Sequence, residues 1–440
     1  MGVNTIVLNG NSVHLNTPDM SIKGERRVSL PGTFNNHHTS ISLDNEILSK
    51  HTLLIGATGT GKTNTFYYFI EQLKKQMNSN DVMIVFDTKG DFERNFYSQG
   101  DVILGNSVRY KSVTEKWNIY KELVVDGFDN ESVQMNTNEI TYSFFKEAME
   151  KTSQQFFPSA ARDLLASIIL AHLKAGKNDI EIRKLAFNNK ALKKYLDRLT
   201  PQKIIKLLSP CPELSSVLSY IGEGNSNQAL GVIAEMQNVI RKILIGSFAQ
   251  DGRFSIRNFV RQKGGRTLFI EYDLTVGDTL TPIYRLMFDL ALKEAMGRNK
   301  SEGNVYLVCD EFKLLPNLQH IEDGVNFGRS LGVKVLAGIQ SIEQLYETYG
   351  ESRGRNIASG FSSVYAFKSN DPATRKYISE LYGKNVVLEQ YKTSNNTLIE
   401  EKREGKTVED WNLNSLQIGQ AIVGLPFKQP FIFKFDEYSR

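Results

Sequence analysis

The chain has 440 residues, of which 40% are hydrophobic and 23% are charged. This composition is that of an ordinary globular protein, and the length predicts two or three domains. The formal net charge of +4 is too small to establish a nucleic-acid partner, although a basic pore could be hidden in such an average. The two cysteines, Cys211 and Cys309, lack disulfide or metal-ligand spacing, which argues against a disulfide-bonded or zinc-dependent fold.

The sequence also bears on membrane insertion and export. No apolar run approaches the roughly 20 residues that a helix needs to cross a bilayer. The N-terminus lacks the basic region followed by an apolar block that marks a signal peptide. We therefore expect a cytoplasmic protein with no transmembrane segment of its own.

The first third of the chain changes from a β-type to an α/β pattern. Residues 1–45 alternate short β-type runs with Asn, Pro and Gly turns, which predicts a β-rich lead-in. Residues 46–135 read as the first part of an α/β domain, because the apolar runs at 51–55 and 82–86 are typical of buried parallel strands.

Between those two runs lies a phosphate-binding loop that fits the pattern G-x-x-x-x-G-K-[ST] at every specified position. Its glycines would let backbone N–H groups wrap phosphates, Lys62 would reach the terminal phosphates, and the Thr63 hydroxyl would coordinate Mg²⁺. Apolar residues at helical spacing follow, so strand, loop and helix occur in the required order. We predict a site for ATP and Mg²⁺ formed by Gly56, Ala57, Thr58, Gly59, Thr60, Gly61, Lys62 and Thr63.

The middle of the chain predicts an all-helical insertion at residues 136–262, because apolar stripes there recur at helical spacing and strand patterns are scarce. Basic residues cluster between Arg183 and Lys206, either as a solvated helix face or as a surface for nucleic acid or a partner. Residues 263–440 return to the α/β pattern, and the polar segment 389–410 is expected to be a mobile hairpin or loop. The predicted fold class is thus α/β, with a parallel central sheet interrupted by an all-α insertion.

An acidic pair follows the apolar run at residues 305–309. Asp310 would hold the Mg²⁺ shell, directly or through water, and Glu311 would orient or deprotonate the attacking water. The alternative is that the two acids only cap the next helix. The phosphate-binding loop upstream favours a catalytic role.

Two further candidates flank the apolar run at residues 333–336. Arg329, between two glycines before this run, could neutralise the transition state in a neighbouring subunit, or it could form an ordinary surface ion pair. Gln340, after the run, lies where ligands of parallel sheets collect and could sense the terminal phosphate, or it could be a satisfied loop residue.

Taken together, these motifs resemble the conjugative coupling ATPases of type IV secretion, the TraG/TraD group within the FtsK and HerA-like translocases. The resemblance covers nearly the whole chain, and the ordered set of motifs is more specific than any one of them. Besides His51 and the loop, it rests on FDTKGD at 86–91, KWNI at 116–119, FPSAA at 157–161, DEF at 310–312, GRSLGV at 328–333, GIQSIEQL at 338–345, YG at 349–350, NDPAT at 370–374 and LYG at 381–383.

The resemblance implies a RecA-like motor domain interrupted by an all-helical domain and assembled as a ring hexamer, with ATP sites between subunits. It assigns the ATPase site to Lys62, Thr63, Asp310, Glu311, Arg329 and Gln340. It implies a DNA substrate, single-stranded or relaxase-bound. Many members begin with transmembrane helices, so anchorage here would need a membrane or secretion-channel protein from another chain, with this protein peripheral at the inner membrane.

Three functions follow as hypotheses. The first is an ATP-driven DNA translocase of coupling-protein type. The second is a transport ATPase or adaptor that recruits proteins through the helical insertion and does not grip DNA. The third is a HerA-like duplex-DNA pump in defence or DNA processing, which the ATPase residues alone do not distinguish from the first.

Overall fold

The computed structural model describes residues 4–224, 226–275, 277–297, 302–392 and 397–439. The chain divides into two compact units. The first contains Met1–Val85 and Ala295–Arg440, and the second contains Phe86–Glu294. The domain boundaries drawn from the sequence at residues 45, 135 and 262 remain a prediction.

The first unit begins with short strands and one long helix. Its N-terminal elements are β1 (Asn4–Asn9), β2 (Arg26–Phe34), β3 (His37–Asp44), α1 (Asn45–Leu48), β4 (Thr52–Ile55), α2 (Lys62–Gln76) and β5 (Val82–Asp87), whose last two residues belong to the second unit.

The second unit is mainly helical. Its elements are α3 (Asp91–Phe96), β6 (Val102–Gly105), α4 (Ile119–Leu123), α5 (Asn130–Glu150), α6 (Phe156–Gly176), α7 (Ile180–Ala186), α8 (Asn189–Asp197), α9 (Pro201–Leu208), α10 (Leu218–Ile221), α11 (Asn227–Ile243), α12 (Ile256–Gln262), β7 (Arg266–Glu271) and α13 (Gly277–Met296), whose last two residues belong to the first unit.

The first unit resumes with alternating strands and helices. These are β8 (Val305–Cys309), α14 (Ile321–Phe327), β9 (Val333–Ile339), α15 (Ile342–Tyr349), α16 (Glu351–Ser359), β10 (Ser363–Phe367), α17 (Pro372–Leu381), β11 (Lys384–Lys392), β12 (Leu398–Lys406), α18 (Asp410–Ser415), β13 (Gln420–Gly424) and β14 (Phe431–Phe435).

A large sheet runs through the first unit in the order β3-β2-β14-β13-β10-β4-β9-β8. The pairs β10–β4, β4–β9 and β9–β8 are parallel, and the pairs from β10 outward to β3 are antiparallel. Every residue of β4, β8, β9 and β10 is buried. Burial on both faces explains why these strands are almost uninterrupted apolar runs in the sequence. The predicted α/β class with a parallel central sheet is confirmed.

The strand register brings three strand ends to one edge of this sheet. Ile55 lies opposite Ile339, and Cys309 lies opposite Ala337. The loops that follow β4, β8 and β9 therefore leave from the same edge, which is where ligands of parallel sheets bind.

A second, three-stranded sheet has the order β1-β11-β12. Its strands β11 and β12 pair in antiparallel fashion from Lys384 opposite Lys406 to Lys392 opposite Leu398. The polar segment 389–410 thus contains the expected hairpin, although residues 393–396 lie outside the described residues.

The second unit buries the apolar stripes that the sequence predicted for its helices. Gly176 ends α6, where a Cβ would lie 2.4 Å from the ring of Phe187. Between residues 136 and 262, the described part of the chain forms helices and no strand. The buried stripe residues are Leu165, Ile168, Ile169 and Leu173 in α6, and Val232, Met236, Val239 and Ile243 in α11.

By length and composition, α6 is the one helix in the described ranges that could cross a membrane. However, 61% of its most apolar window is buried within the protein. A core helix of a globular unit passes the same test, so α6 is weak evidence for a membrane span.

Candidate nucleotide-binding and hydrolysis site

The phosphate-binding loop joins the end of β4 to the first residue of α2. Gly56, Gly59 and Gly61 have φ values of 155°, 76° and 119°, which side-chain-bearing residues rarely adopt. At Gly56 an added Cβ would also lie 2.7 Å from the Cβ of Phe367. The backbone path of the loop therefore requires glycine at the positions where the pattern has it.

Lys62 is buried at the start of α2, and its amine turns back onto the loop. Its Nζ donates to the carbonyl oxygens of Gly56 and Ala57 at 2.6 and 3.1 Å, and the Thr60 hydroxyl donates to Ala57 O at 2.7 Å. The ammonium is thus held against the loop at a helix N-terminus, where backbone N–H groups and the helix dipole favour anions.

Thr63 and Asp310, the two predicted Mg²⁺ ligands, are in direct contact. The Thr63 hydroxyl donates to Asp310 Oδ2 at 2.7 Å, across 247 residues of sequence. Both side chains offer the hard oxygen ligands that Mg²⁺ prefers. Among the residues that the structure describes, no group of three or more His, Cys, Asp or Glu could hold a metal ion. An ion at this pair would therefore complete its shell with phosphate and water oxygens.

Glu311 and Gln340 form the second contact at this edge. Gln340 Nε2 donates to both carboxylate oxygens of Glu311, at 3.0 and 3.2 Å. The backbone N–H of Gln340 donates to Gln344 Oε1 at 3.0 Å. Sequence reasoning gave Gln344 no role, although Ser341 and Gln344 have the spacing of a capping box, in which a glutamine in the first helical turn bonds back to the backbone at the helix start.

Gly338 allows β9 to approach β8 closely. A Cβ at this position would lie 2.3 Å from the carbonyl oxygen of Asp310 and 3.0 Å from the ring of Phe66. The sequence signal was available, because a glycine inside an apolar strand often marks a close backbone approach. Gly338 thus sets the spacing of the strands that carry Asp310 and Gln340.

The structure does not bring Arg329 to the other predicted site residues. Arg329 is exposed and precedes β9, whereas Gln340 follows that seven-residue strand. At about 3.3 Å per residue, the two ends of β9 are roughly 20 Å apart. Within one subunit, Arg329 therefore lies at the opposite edge of the sheet from the phosphate-binding loop.

His51, which precedes β4, is a buried link between strands. Its Nδ1 accepts the backbone N–H of Val335 at 3.1 Å, and its φ is 58°. Burial, assisted by the charges of Lys334 and Arg329, lowers the pKa of His51 to about 3. The imidazole is therefore neutral at physiological pH and joins β4 to β9.

The C-terminal residues hold the first turn of α2, a contact that sequence reasoning missed. Asn64 Nδ2 donates to Asp436 O at 2.8 Å, and Asn64 Oδ1 accepts the N–H of Tyr438 at 2.7 Å. The ring of Tyr438 also packs on Tyr67 and Tyr68. No local pattern predicts a contact across more than 370 residues.

In the second unit, the FDTKGD segment has a structural function. The Asp87 carboxylate accepts the backbone N–H groups of Lys89, Gly90, Phe92 and Glu93, and so begins α3. Burial nevertheless raises the pKa of Asp87. Burial, together with the negative charge of Asp87, raises the pKa of the nearby Glu271 to about 9. The carboxyl group of Glu271 therefore keeps its proton at neutral pH.

A phosphate-binding loop on a parallel sheet, with an acidic pair at the end of the next strand but one, defines the class of P-loop proteins. Within that class, the chain belongs to the family "Type IV secretion-system coupling protein DNA-binding domain", whose model matches residues 35–410. This membership confirms the resemblance drawn from the motifs.

One curated relative is the coupling protein TraD of Escherichia coli strain K12, 24% identical over 339 residues. The alignment covers 74% of this chain but 42% of TraD, so the chain spans less than half the length of this relative.

Solved structures of the conjugative coupling protein TrwB show the same fold. The unbound form of TrwBdeltaN70 superposes with a TM-score of 0.73 at 22% identity, covering 91% of this chain and 88% of that one. TrwB in complex with ADP and Mg²⁺ gives 0.71 at 21% identity, with the same coverage. The expected RecA-like P-loop fold with a helical insertion is thereby confirmed.

Proposed function

We propose that this chain is the motor part of an ATP-hydrolysing translocase that moves DNA or nucleoprotein in type IV secretion. The observation that carries the proposal is that two pairs of predicted site residues are in contact at the edge of the sheet where β4, β8 and β9 end. Thr63 contacts Asp310, and Glu311 contacts Gln340. Family membership supports the same function.

ATP would bind with its phosphates in the loop from Gly56 to Thr63. The loop N–H groups and the Lys62 ammonium supply positive charge, and Lys62 would exchange its two carbonyl contacts for phosphate oxygens. Thr63 and Asp310 would hold Mg²⁺, which would neutralise the charge that develops on the phosphates. TrwB has been solved with ADP and Mg²⁺ and, separately, with a non-hydrolysable ATP analogue.

Glu311 would accept a proton from the attacking water. Because Gln340 holds both carboxylate oxygens, the base has a fixed orientation before the substrate arrives. An incoming γ-phosphate could compete for the Gln340 amide, which would connect the state of the nucleotide to β9. Gln340 would thus position the base and sense the phosphate.

The substrate would be DNA, single-stranded or bound to a relaxase, and the working form a homo-oligomeric ring. Because Arg329 lies about one strand length from the loop of its own chain, it could reach a γ-phosphate only across a subunit interface. A hexamer with shared sites satisfies this geometry. A membrane or secretion-channel protein would place the ring at the inner membrane.

Steady-state ATP hydrolysis tests the proposal, measured without DNA, with single-stranded DNA and with duplex DNA. The wild type should hydrolyse ATP and be stimulated by single strands. Lys62→Ala should lose on the order of 10²-fold or more of the activity, because it removes charge at the transferring phosphoryl group. The matched control is Lys75→Ala, since Lys75 lies on the same helix with an exposed ion pair to Glu71.

The other outcomes identify the alternatives. A wild type that hydrolyses ATP but neither binds DNA nor responds to it would overturn the translocase and favour the protein-recruiting adaptor. Stronger stimulation by duplex than by single strands would favour a HerA-like duplex pump.

A further inference from the structure

The second unit contains a positively charged cavity of about 410 Å³ at the carboxyl end of β6. The side chains that matter for its charge and hydrogen bonding are Asn106, Lys111, Thr114, Lys116, Ser247 and Gln250. Its lining includes two lysines and no carboxylate. An anion is the ligand that such a lining favours.

Hydrogen bonds join the two segments that form the wall of this cavity. The N–H of Ser247 donates to Asn106 Oδ1 at 2.8 Å, and its hydroxyl donates to Gly105 O at 2.7 Å. Gly246 has a φ of 51°, and a Cβ there would lie 1.8 Å from Asn106 Oδ1. The segment after α11 is therefore fixed against the end of β6, so little ordering would be needed on binding.

Several donors of this lining are available to a ligand. Lys111 and Lys116 are exposed, and within the described ranges neither forms an ion pair or a hydrogen bond through its ammonium group. The Asn106 oxygen accepts from Ser247, while its amide hydrogens have no partner among the described residues. Two cations and an amide thus remain free to bind phosphate oxygens.

A neighbouring cavity shows what a charge-balanced lining looks like. It shares Ser107 with the first cavity and contains Lys89 and Arg109, but also the Asp273 carboxylate and the Glu271 carboxyl group, which keeps its proton at neutral pH. Arg109 is already paired with Glu93 at 2.9 Å. The excess positive charge therefore belongs to the Lys111–Lys116 cavity.

The geometry points to a binding site for the phosphodiester backbone of single-stranded DNA in the Lys111–Lys116 cavity. The volume exceeds that of one phosphate group, and Val108 on the rim is 88% exposed, which offers an apolar contact to a sugar or base. This inference rests on the proposed function and assigns the DNA grip to this cavity. The competing surface is α8, which carries Lys190 and Lys194 at exposed positions.

The test is the affinity of the full-length protein for a fluorescent single-stranded oligonucleotide, by anisotropy, over a range of salt concentrations. Lys111→Ala/Lys116→Ala should bind about tenfold more weakly or worse. The slope of log K against log salt should fall by about 1.4, because each lysine–phosphate contact on a single strand contributes about 0.7. Lys111→Arg/Lys116→Arg should keep both the affinity and the slope. ATP hydrolysis without DNA and the melting temperature should not change.

The matched control is Lys190→Ala/Lys194→Ala, which removes the same charge from exposed positions on α8. It should leave the affinity and slope near those of the wild type. If both double variants lose the same affinity for DNA, binding depends on the overall positive charge of the protein and not on this cavity. If Lys111→Ala/Lys116→Ala binds DNA as the wild type does, the proposal of a DNA site in this cavity is wrong. The proposed function still stands in that case, provided that the wild type responds to DNA.

Two further results would also contradict the proposed DNA site. If the wild type neither binds DNA nor is stimulated by it, the proposed function and this site fail together. If inorganic phosphate stabilises the wild type but not Lys111→Ala/Lys116→Ala, while both bind DNA equally, the cavity takes free phosphate and the DNA site is wrong.

Discussion

Glu311 is oriented by an amide, and none of the cations among the described residues forms an ion pair with it. Because Gln340 Nε2 reaches both carboxylate oxygens, the carboxylate is aligned without an ion pair that would weaken it as a base. Asp310, its neighbour, faces the Thr63 hydroxyl instead. Two adjacent acids thus have separate partners, which suits one to metal binding and the other to proton transfer.

Glu311→Gln should separate binding from hydrolysis. The hydrogen bonds of Lys62 to the loop and of Thr63 to Asp310 do not use the Glu311 side chain, so affinity for ATP should remain near that of the wild type. Loss of the general base should lower kcat by about 10²–10⁴-fold. Equilibrium binding of a fluorescent ATP analogue and steady-state hydrolysis measure the two effects. The control is Glu343→Gln, which changes an exposed carboxylate on α15. A wild-type kcat in Glu311→Gln would contradict the role of Glu311 as general base.

Glu271 should make stability depend on pH. Burial and the negative charges of Asp87 and Glu93 raise its pKa to about 9, although Tyr110 and Arg109 act in the opposite direction, so the folded state keeps a proton that the unfolded state loses above about pH 4.5. Its contribution to stability is complete below that pH and is lost as the pH rises towards 9. Glu271→Gln cannot ionise and should gain roughly 4 kcal/mol at pH 8, at about 1.4 kcal/mol per pH unit above 4.5, but less than about 1 kcal/mol at pH 5.

Urea unfolding at the two pH values checks this prediction. Glu115→Gln, an exposed carboxylate in the same unit, should show no such difference. Parallel pH profiles for the wild type and Glu271→Gln would mean that Glu271 is ionised in the folded protein.

At the scale of elements, the spacing of β8 and β9 depends on one glycine. Gly338→Ala would place a Cβ 2.3 Å from Asp310 O, and both strands are buried, so relief requires a backbone shift. We expect a loss of about 1–3 kcal/mol in the free energy of unfolding, together with reduced hydrolysis, because Asp310 and Gln340 move apart.

Chemical denaturation and hydrolysis assays measure the two losses. Gly24→Ala is the control, because the nearest atoms to a Cβ there would be those of Asp44, at 3.4 Å or more. An active and fully stable Gly338→Ala would show that the strands tolerate a wider spacing.

The elements that the sequence predicted are those with local signals. The strands β4, β5 and β8 are continuous apolar runs, and the phosphate-binding loop is set by glycines whose φ values leave little choice of residue. The antiparallel extension of the sheet had no such signal, because β14 pairs with β2 across about 400 residues. Likewise, the contact between Glu311 and Gln340 depends on strand register, which a linear pattern does not contain.

At the scale of the whole molecule, the position of Arg329 argues for shared sites. One chain places the loop, the Thr63–Asp310 pair and Glu311 at one edge of the sheet and Arg329 at the other edge. A head-to-tail arrangement of identical subunits brings opposite edges together at every interface, and it closes into a ring when the rotation permits. Each interface would then contain one complete site.

Mixing two inactive variants tests this arrangement directly. Lys62→Ala damages the part of a shared site that contains the phosphate-binding loop. Arg329→Ala damages the part that the neighbouring subunit would supply. Each variant alone should be inactive, because every interface is defective. In a mixed ring at equal ratio, about a quarter of the interfaces should join an intact loop to an intact arginine, so activity should return to about that fraction of the wild type. The matched control mixes Lys62→Ala with Glu311→Gln, which damage the same side and should not complement. If the first mixture forms rings but does not regain activity, Arg329 is not part of the ATPase site. In that case the subunits have assembled, and an intact Arg329 from the neighbouring subunit has not restored hydrolysis.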